Sequence, residues 1–153
     1  MLQTPTRFTL VAASSEGATA LNAFDGALLK AGCGNMNLIR VSSILPPGAE
    51  ETAALAISPG SLLPTAYGQI GSTTPGERIA AAVGIGFGAP GSFGLIMETA
   101  FSGSGQEAET RIRKMLEDGF ALRGLTLTRV LVKSAEHVVV SCGCAFAAVC
   151  LWG

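Results

Sequence analysis

The sequence predicts an α+β domain in which two helices cover the faces of a mostly antiparallel sheet system. Two stretches carry apolar residues at helical spacing with capping residues at their ends, and six or seven other stretches are typical of strands. No internal repeat, linker or low-complexity segment divides the chain, so we expect a single domain over residues 1–153.

The composition is apolar for an isolated domain of this size. Hydrophobic residues make up 48% of the chain and charged residues only 14%, with a net charge of −1. This balance predicts a homo-oligomer that buries apolar surface between its subunits. Since no Lys/Arg cluster is present, we expect neither nucleic acid nor a membrane surface as a partner. The N-terminal residues lack the pattern of a signal peptide, which predicts a cytoplasmic protein.

The first two elements are a strand and a helix. Residues 8–13 alternate between the two faces of a strand, and residues 14–17 are expected to form a loop. Residues 19–31 then have apolar side chains at helical spacing, and Gly32 is a natural helix stop.

A strand predicted over residues 37–41 leads into two adjacent serines, Ser42 and Ser43. The β-branched residues before them and Pro46-Pro47 shortly after predict an extended and then restrained backbone. One interpretation is a polar turn in which the hydroxyls bond locally to the backbone. The other is a self-processing site, in which the hydroxyl of Ser43 attacks the carbonyl of Ser42 and the chain breaks between them.

The middle of the chain is predicted to be a loop followed by three strands. The loop covers residues 48–59, and the strand over residues 62–70 contains Pro64, which suggests an edge strand or a bulge. Residues 79–87 and 93–99 are expected to pair around a glycine-rich loop. That loop matches GxGxxG in form, but a strand pattern follows it where a dinucleotide site needs a helix, so no such site is predicted.

The last third is predicted to begin with a well-capped helix. Ser104 and Glu107 have the spacing of a capping box, and the helix is expected to end near Gly119. Three further strands are predicted, over residues 125–132, 137–141 and 145–152.

The four cysteines are interpreted as small buried hydrophobes, and no metal is predicted. Cys142 and Cys144 have the spacing of a ligand or redox pair, but a zinc site needs further ligands and His137 is the single histidine. We interpret His137 as structural, because nothing in the sequence pairs it with a nucleophile.

Two carboxylates lie in apolar surroundings. Glu98 ends the apolar run Gly94–Met97; if it is buried there, its pKa rises and it can act as an acid, whereas on an alternating strand it can equally face water. Asp25 lies in an apolar helix segment and either points into a site or is an ordinary solvated acid.

Six segments together resemble the pyruvoyl-dependent arginine decarboxylases, in the same order and over nearly the whole chain. The match around the two serines covers eleven residues, 37–47. The six segments are residues 14–17, 21–29, 37–47, 64–68, 94–98 and 143–148, the last together with Trp152.

The resemblance implies a four-layer αββα sandwich that assembles as a trimer of processed protomers, with each active site between neighbours. It also implies that the chain cuts itself between Ser42 and Ser43, giving residues 1–42 (beta chain) and 43–153 (alpha chain). Ser43 would become a covalent pyruvoyl group, so that neither pyridoxal phosphate nor a metal is needed. The implied reaction converts L-arginine to agmatine and carbon dioxide.

The resemblance also assigns roles to three further residues. Glu98 is the expected proton donor to the substrate, and Asn37 is expected to orient or polarise a carbonyl oxygen. Asp25 is expected to bind the guanidinium group of arginine. Two other hypotheses are an unprocessed, non-enzymatic oligomeric binding protein on the same scaffold, and a pyruvoyl decarboxylase for another amino acid.

Overall fold

The computed structural model describes residues 2–153, which form two helices and two sheets. The helices are α1 (Ala20–Ala31) and α2 (Gly105–Leu122). The strands are β1 (Arg7–Glu16), β2 (Asn37–Arg40), β3 (Ile44–Leu45), β4 (Glu50–Glu51), β5 (Leu62–Ser72), β6 (Arg78–Phe87), β7 (Gly94–Ser102), β8 (Arg129–Val138) and β9 (Gly143–Trp152). The predicted α+β class is confirmed.

The strands form two sheets that stack face to face. One has five strands in the order β2-β5-β9-β1-β4, and the other has four in the order β3-β7-β6-β8. Most neighbours are antiparallel, while β1 and β4 pair in parallel, as do β2 and β5. Helix α1 packs on the outer face of the five-stranded sheet and α2 on that of the four-stranded sheet. The layers therefore follow the order αββα.

Three apolar clusters hold these layers together. One lies between the two sheets, one between α1 and the five-stranded sheet, and one between α2 and the four-stranded sheet. The central strands β6 and β9 are covered on both faces, which explains why nearly all their residues are apolar and buried. This double burial accounts for part of the apolar composition.

Both helices begin where the sequence predicts. The Thr19 hydroxyl accepts the N–H of Asn22, and Gly32 takes the left-handed conformation at the end of α1. The capping box of Ser104 and Glu107 opens α2. The predicted end near Gly119 is wrong, since α2 continues to Leu122 with Gly119 buried beneath Leu95 and Met97.

Several predicted strand boundaries are also wrong. Residues 14–16 continue β1 instead of forming a loop, because they pair with the start of β9. The strands predicted over 125–132 and 137–141 are one strand, β8, held along its length by β6. A two-residue strand, β4, interrupts the loop predicted over residues 48–59.

The prediction for Pro64 is also wrong. Strand β5 lies inside its sheet with continuous register, and β2 pairs with its residues 62–65. Within residues 2–153, no helix is both long and apolar enough to cross a membrane.

Candidate active site

Ser42 and Ser43 lie where the chain leaves one sheet and enters the other. The preceding strand β2 is an edge of the five-stranded sheet, and the following strand β3 is an edge of the four-stranded sheet. The two-serine segment therefore bridges the layers at one side of the sandwich, and the backbone restraint predicted there comes from both sheets.

Each side of this bridge is fixed by a backbone hydrogen bond. The N–H of Val41 donates to the carbonyl of Thr65 on β5 at 3.1 Å, and the carbonyl of Ser43 accepts the N–H of Ile96 on β7 at 2.8 Å. Only the Ser42–Ser43 peptide bond and its immediate neighbours lie between these two anchors. The two anchors thus confine a segment of two peptide bonds, Val41–Ser42 and Ser42–Ser43, between the two sheets.

Glu98 lies beside the bridge. It follows Ile96 by two residues on β7, and Ile96 is part of the core between the sheets, so strand alternation directs Glu98 to the same face. Leu45, two residues after Ser43, belongs to the same core. Because the carbonyl of Ser43 binds the N–H of Ile96, Glu98 lies two residues, about 7 Å, along β7 from the strand position that holds Ser43.

Glu98 is half-buried, and burial raises its pKa above the ordinary value of a glutamate. The positive charge of Arg40 opposes this rise without cancelling it. Of the two alternatives that the sequence left open for this carboxyl, the environment favours the buried acid, which keeps its proton to higher pH than a solvated glutamate does.

Arg40 and Tyr67 are neighbours of this site that the sequence reasoning did not single out. The Nη2 atom of Arg40 donates to the backbone carbonyl of Tyr67 at 2.6 Å, and its guanidinium carbon lies 4.4 Å from the centre of the Tyr67 ring. The available signal was a charged residue in the otherwise apolar strand that precedes the serines.

Asn37 lies at the other end of β2. At about 3.3 Å per residue, it is about 10 Å from Arg40, on the side away from Ser43. Its Nδ2 atom donates to the carbonyl of Gly60 at 3.0 Å, which fixes the amide in the turn before β5. Within the described chain, its contacts are with this turn and not with the serines.

Asp25 is exposed on α1, in the layer outside the five-stranded sheet. Ala23 and Ala27 are the buried residues that face the sheet, whereas Leu21 and Leu29, one turn either side of Asp25, are also exposed. The side chain of Asp25 therefore points away from the five-stranded sheet. Within a single protomer it does not lie beside Ser42 or Ser43.

His137 is part of a separate polar cluster that organises the turn between β8 and β9. Its Nε2 atom lies 2.5 Å from Oε2 of Glu16, and Oε1 of Glu16 accepts the backbone N–H groups of Val140, Ser141 and Cys142. The N–H of Ser141 and the bond to His137 lower the pKa of Glu16 to about 2. This environment agrees with the structural interpretation of His137.

The four cysteines are free and buried, as the sequence indicated. Cys33 and Cys150 belong to the cluster beneath α1, together with Cys142 and Cys144. Burial raises the pKa of the Cys144 thiol to about 11, which keeps it protonated near neutral pH.

Comparison with known proteins adds an independent finding. The family model described as pyruvoyl-dependent arginine decarboxylase matches residues 7–153. A protein of that name from Methanocaldococcus jannaschii is 52% identical over 149 residues, covering 97% of this chain and 90% of the relative.

Two further relatives carry the same name. The protein from Methanococcus vannielii is 44% identical over 151 residues, covering 98% of this chain and 92% of the relative. The protein from Pyrococcus abyssi is 46% identical over 138 residues, with 89% and 87% of the two chains covered.

Proposed function

The chain belongs to the pyruvoyl-dependent arginine decarboxylase family, and we propose that it converts L-arginine to agmatine and carbon dioxide with a pyruvoyl group made from its own Ser43. The observation that carries this proposal is the Ser42–Ser43 bond, held between two sheets with Glu98 beside it. The family's names support the reaction class, and the anchoring of the two-serine segment supports the choice of Ser43.

The proposed maturation begins with attack of the Ser43 hydroxyl oxygen on the carbonyl carbon of Ser42. The C–N bond between the two residues breaks, the nitrogen takes up a proton, and an ester joins Ser42 to the Ser43 oxygen. Loss of the Cα proton of residue 43 then expels that oxygen and leaves a carboxylate on Ser42. The resulting enamine takes up a proton at Cβ and becomes an imine, and water then hydrolyses the imine, which releases ammonia and leaves a ketone at residue 43.

The residues around Ser43 fit such a group. The two backbone anchors hold residue 43 at the edge of the sandwich, partly exposed, so that a substrate amine can reach it. The group supplies a carbonyl that condenses with the α-amine of the substrate and takes up the electron pair released as carbon dioxide leaves.

Glu98 is the proposed general acid. Its raised pKa keeps the carboxyl protonated to higher pH, and its place next to the Ser42–Ser43 segment lets it deliver a proton to Cα of the substrate after carbon dioxide leaves. Decarboxylation thus needs Glu98, whereas the cut between the serines does not use its proton.

Asn37 and Asp25 are proposed to contribute to an active site that forms only when protomers assemble. We propose that Asn37 orients a carbonyl oxygen and that Asp25 forms a charge-assisted pair with the substrate guanidinium. Since neither side chain lies beside Ser43 in one protomer, a trimer with its sites between neighbours would bring them together. Exposed apolar residues near both positions, Leu21, Leu29 and Ile39, are compatible with such contacts.

Intact-mass measurement of the denatured protein tests the proposal. We expect fragments 1–42 and 43–153, the second lighter by one ammonia than a fragment that begins with serine, together with release of carbon dioxide from arginine. A chain that stays uncut on long incubation and releases none would favour the non-enzymatic binding protein. A cut chain that acts on lysine or ornithine in place of arginine would retain the chemistry and change the substrate.

A further inference from the structure

The hydrogen-bond ladder between β2 and β5 stops one bond short of the proposed cut. The parallel pairing places the N–H of Asn37 on the carbonyl of Ser61 at 2.8 Å and that of Val41 on Thr65 at 3.1 Å. Donors alternate along a parallel strand, so the next bond of this ladder would join the N–H of Ser43 to the carbonyl of Tyr67. That N–H belongs to the peptide bond that is proposed to break.

A side chain takes the place of this bond. The guanidinium of Arg40 donates to the Tyr67 carbonyl at 2.6 Å and stacks on the Tyr67 ring. The ring fixes the plane of the guanidinium, so Arg40 occupies the sheet edge where the backbone of Ser43 would otherwise add to β5. The chain instead turns away, and the carbonyl of Ser43 binds to Ile96 on the other sheet.

The replacement of this backbone hydrogen bond by one from Arg40 bears directly on the chemistry of the cut. The nitrogen of Ser43 is the leaving group when the hydroxyl attacks Ser42, and it must take up a proton as the C–N bond breaks. An N–H held in a sheet ladder keeps its peptide planar and in line with the strand, which opposes the distortion that attack requires.

We propose that Arg40 is a positioning residue for self-cleavage: by binding the Tyr67 carbonyl, it ends the β2–β5 ladder and leaves the Ser43 amide free to react. This inference rests on the proposed self-cleavage and gives a reason why the cut falls at the Ser42–Ser43 bond. It assigns Arg40 no contact with the reacting atoms.

The first experiment follows the cut in newly synthesised full-length chain by gel. In Arg40→Met, whose side chain keeps its length and apolar stem, we expect cleavage at least about tenfold slower. Arg40→Lys keeps one donor without the planar stack and should be intermediate. Arg129→Met is the matched control, because Arg129 also stacks on an aromatic ring, that of Phe87, on another strand. It should cut at the rate of the unaltered chain.

The second experiment measures hydrogen exchange at the amide of residue 43 in chains that cannot cut. In Ser43→Ala this amide should exchange fast, and in the double variant Arg40→Met/Ser43→Ala it should become protected at least about tenfold as the ladder extends. A merely structural role for Arg40 would loosen the segment and speed exchange instead.

The outcomes separate this inference from the proposed function. If the unaltered chain cuts while Arg40→Met cuts equally fast and the amide shows no added protection, the role of Arg40 is wrong and the decarboxylase proposal stands. If the unaltered chain never cuts, the proposed function fails, and this inference fails with it.

Discussion

The backbone N–H of Ile96 donates to the carbonyl of Ser43 at 2.8 Å. This bond ties the residue after the proposed cut to β7, the strand on which Glu98 follows two residues later. The proposed site of the cofactor and the proposed acid are therefore positioned by the same strand, and the variants below test each part separately.

The hydroxyl of Ser43 is expected to be essential and that of Ser42 dispensable. Ser43→Ala should remain a single chain without activity, because no nucleophile is left. Ser42→Ala should still cut, since the attack uses only its backbone carbonyl. Intact mass distinguishes the two; a cut in Ser43→Ala would show that another group breaks the chain.

Glu98→Gln should still be cut but lose decarboxylation. General acid catalysis contributes about 10²- to 10⁴-fold, so kcat should fall by a factor in that range. For the unaltered enzyme, kcat should fall as pH rises through the raised pKa of Glu98, because only the protonated form donates. Rapid-quench assays of carbon dioxide release at several pH values measure the kcat of the variant and the pH dependence of the unaltered enzyme. Full activity in Glu98→Gln would remove this residue from the mechanism.

Asp25→Asn should weaken arginine binding. Loss of a charge-assisted pair costs about 1.5–3 kcal/mol, so KM should rise roughly 10- to 100-fold with less effect on kcat. Asp118→Asn is the matched control, an exposed acid on α2 that pairs with Lys114. Equal KM values in Asp25→Asn and the control would exclude the guanidinium assignment.

Sites shared between protomers should show complementation. If Asp25 serves a neighbour's Ser43, co-assembly of Asp25→Asn with Glu98→Gln produces some sites in which both residues are intact. At arginine concentrations well below KM, the activity of the co-expressed, doubly tagged oligomer should then exceed that of either parent. Activity no higher than in the parents would place Asp25 and Glu98 of each site in one protomer.

Glu16→Gln should lower stability near neutral pH and flatten its dependence on acid. Glu16 has its pKa lowered from 4.5 to about 2, so it stabilises the fold above pH 4.5, and this contribution is lost as pH falls toward 2. Urea unfolding at several pH values measures the effect, with Glu50→Gln on the edge strand β4 as control. If the unfolding free energy of the Glu16 variant and that of the unaltered protein changed in parallel with pH, the stabilising role of the Glu16 carboxylate would be wrong.

Close contact between the sheets beside Glu98 depends on Gly68. A Cβ at Gly68 would lie 3.0 Å from the carbonyl oxygen of Thr99, whereas one at Gly71 on the same strand would lie 3.6 Å from that of Gly143. Gly68→Ala should therefore destabilise the fold by about 1–3 kcal/mol, and Gly71→Ala by less. Equal unfolding free energies for the two variants would contradict the tight packing.

Local patterns were sufficient for the helices and most strands. The caps at Thr19 and Ser104 act within a few residues, and the continuous apolar runs of β6 and β9 are typical of strands buried on both faces. The sequence also indicated Ser42, Ser43 and Glu98 as candidate reactive residues, because an adjacent serine pair and an acid in an apolar strand can be recognised without tertiary contacts. Their roles came from resemblance to a family.

Tertiary structure decided the features that depend on distant pairing. Residues 14–16 and 133–136 became strand because β9 and β6 offered partners for their backbone groups, a condition that no local window contains. The bond from Ile96 to Ser43 and that from Arg40 to Tyr67 join residues far apart in sequence, so periodicity cannot reveal them. The sequence thus indicated which residues could react, while the packing of two sheets decided where the two-serine segment is anchored and placed Glu98 on the strand that anchors it.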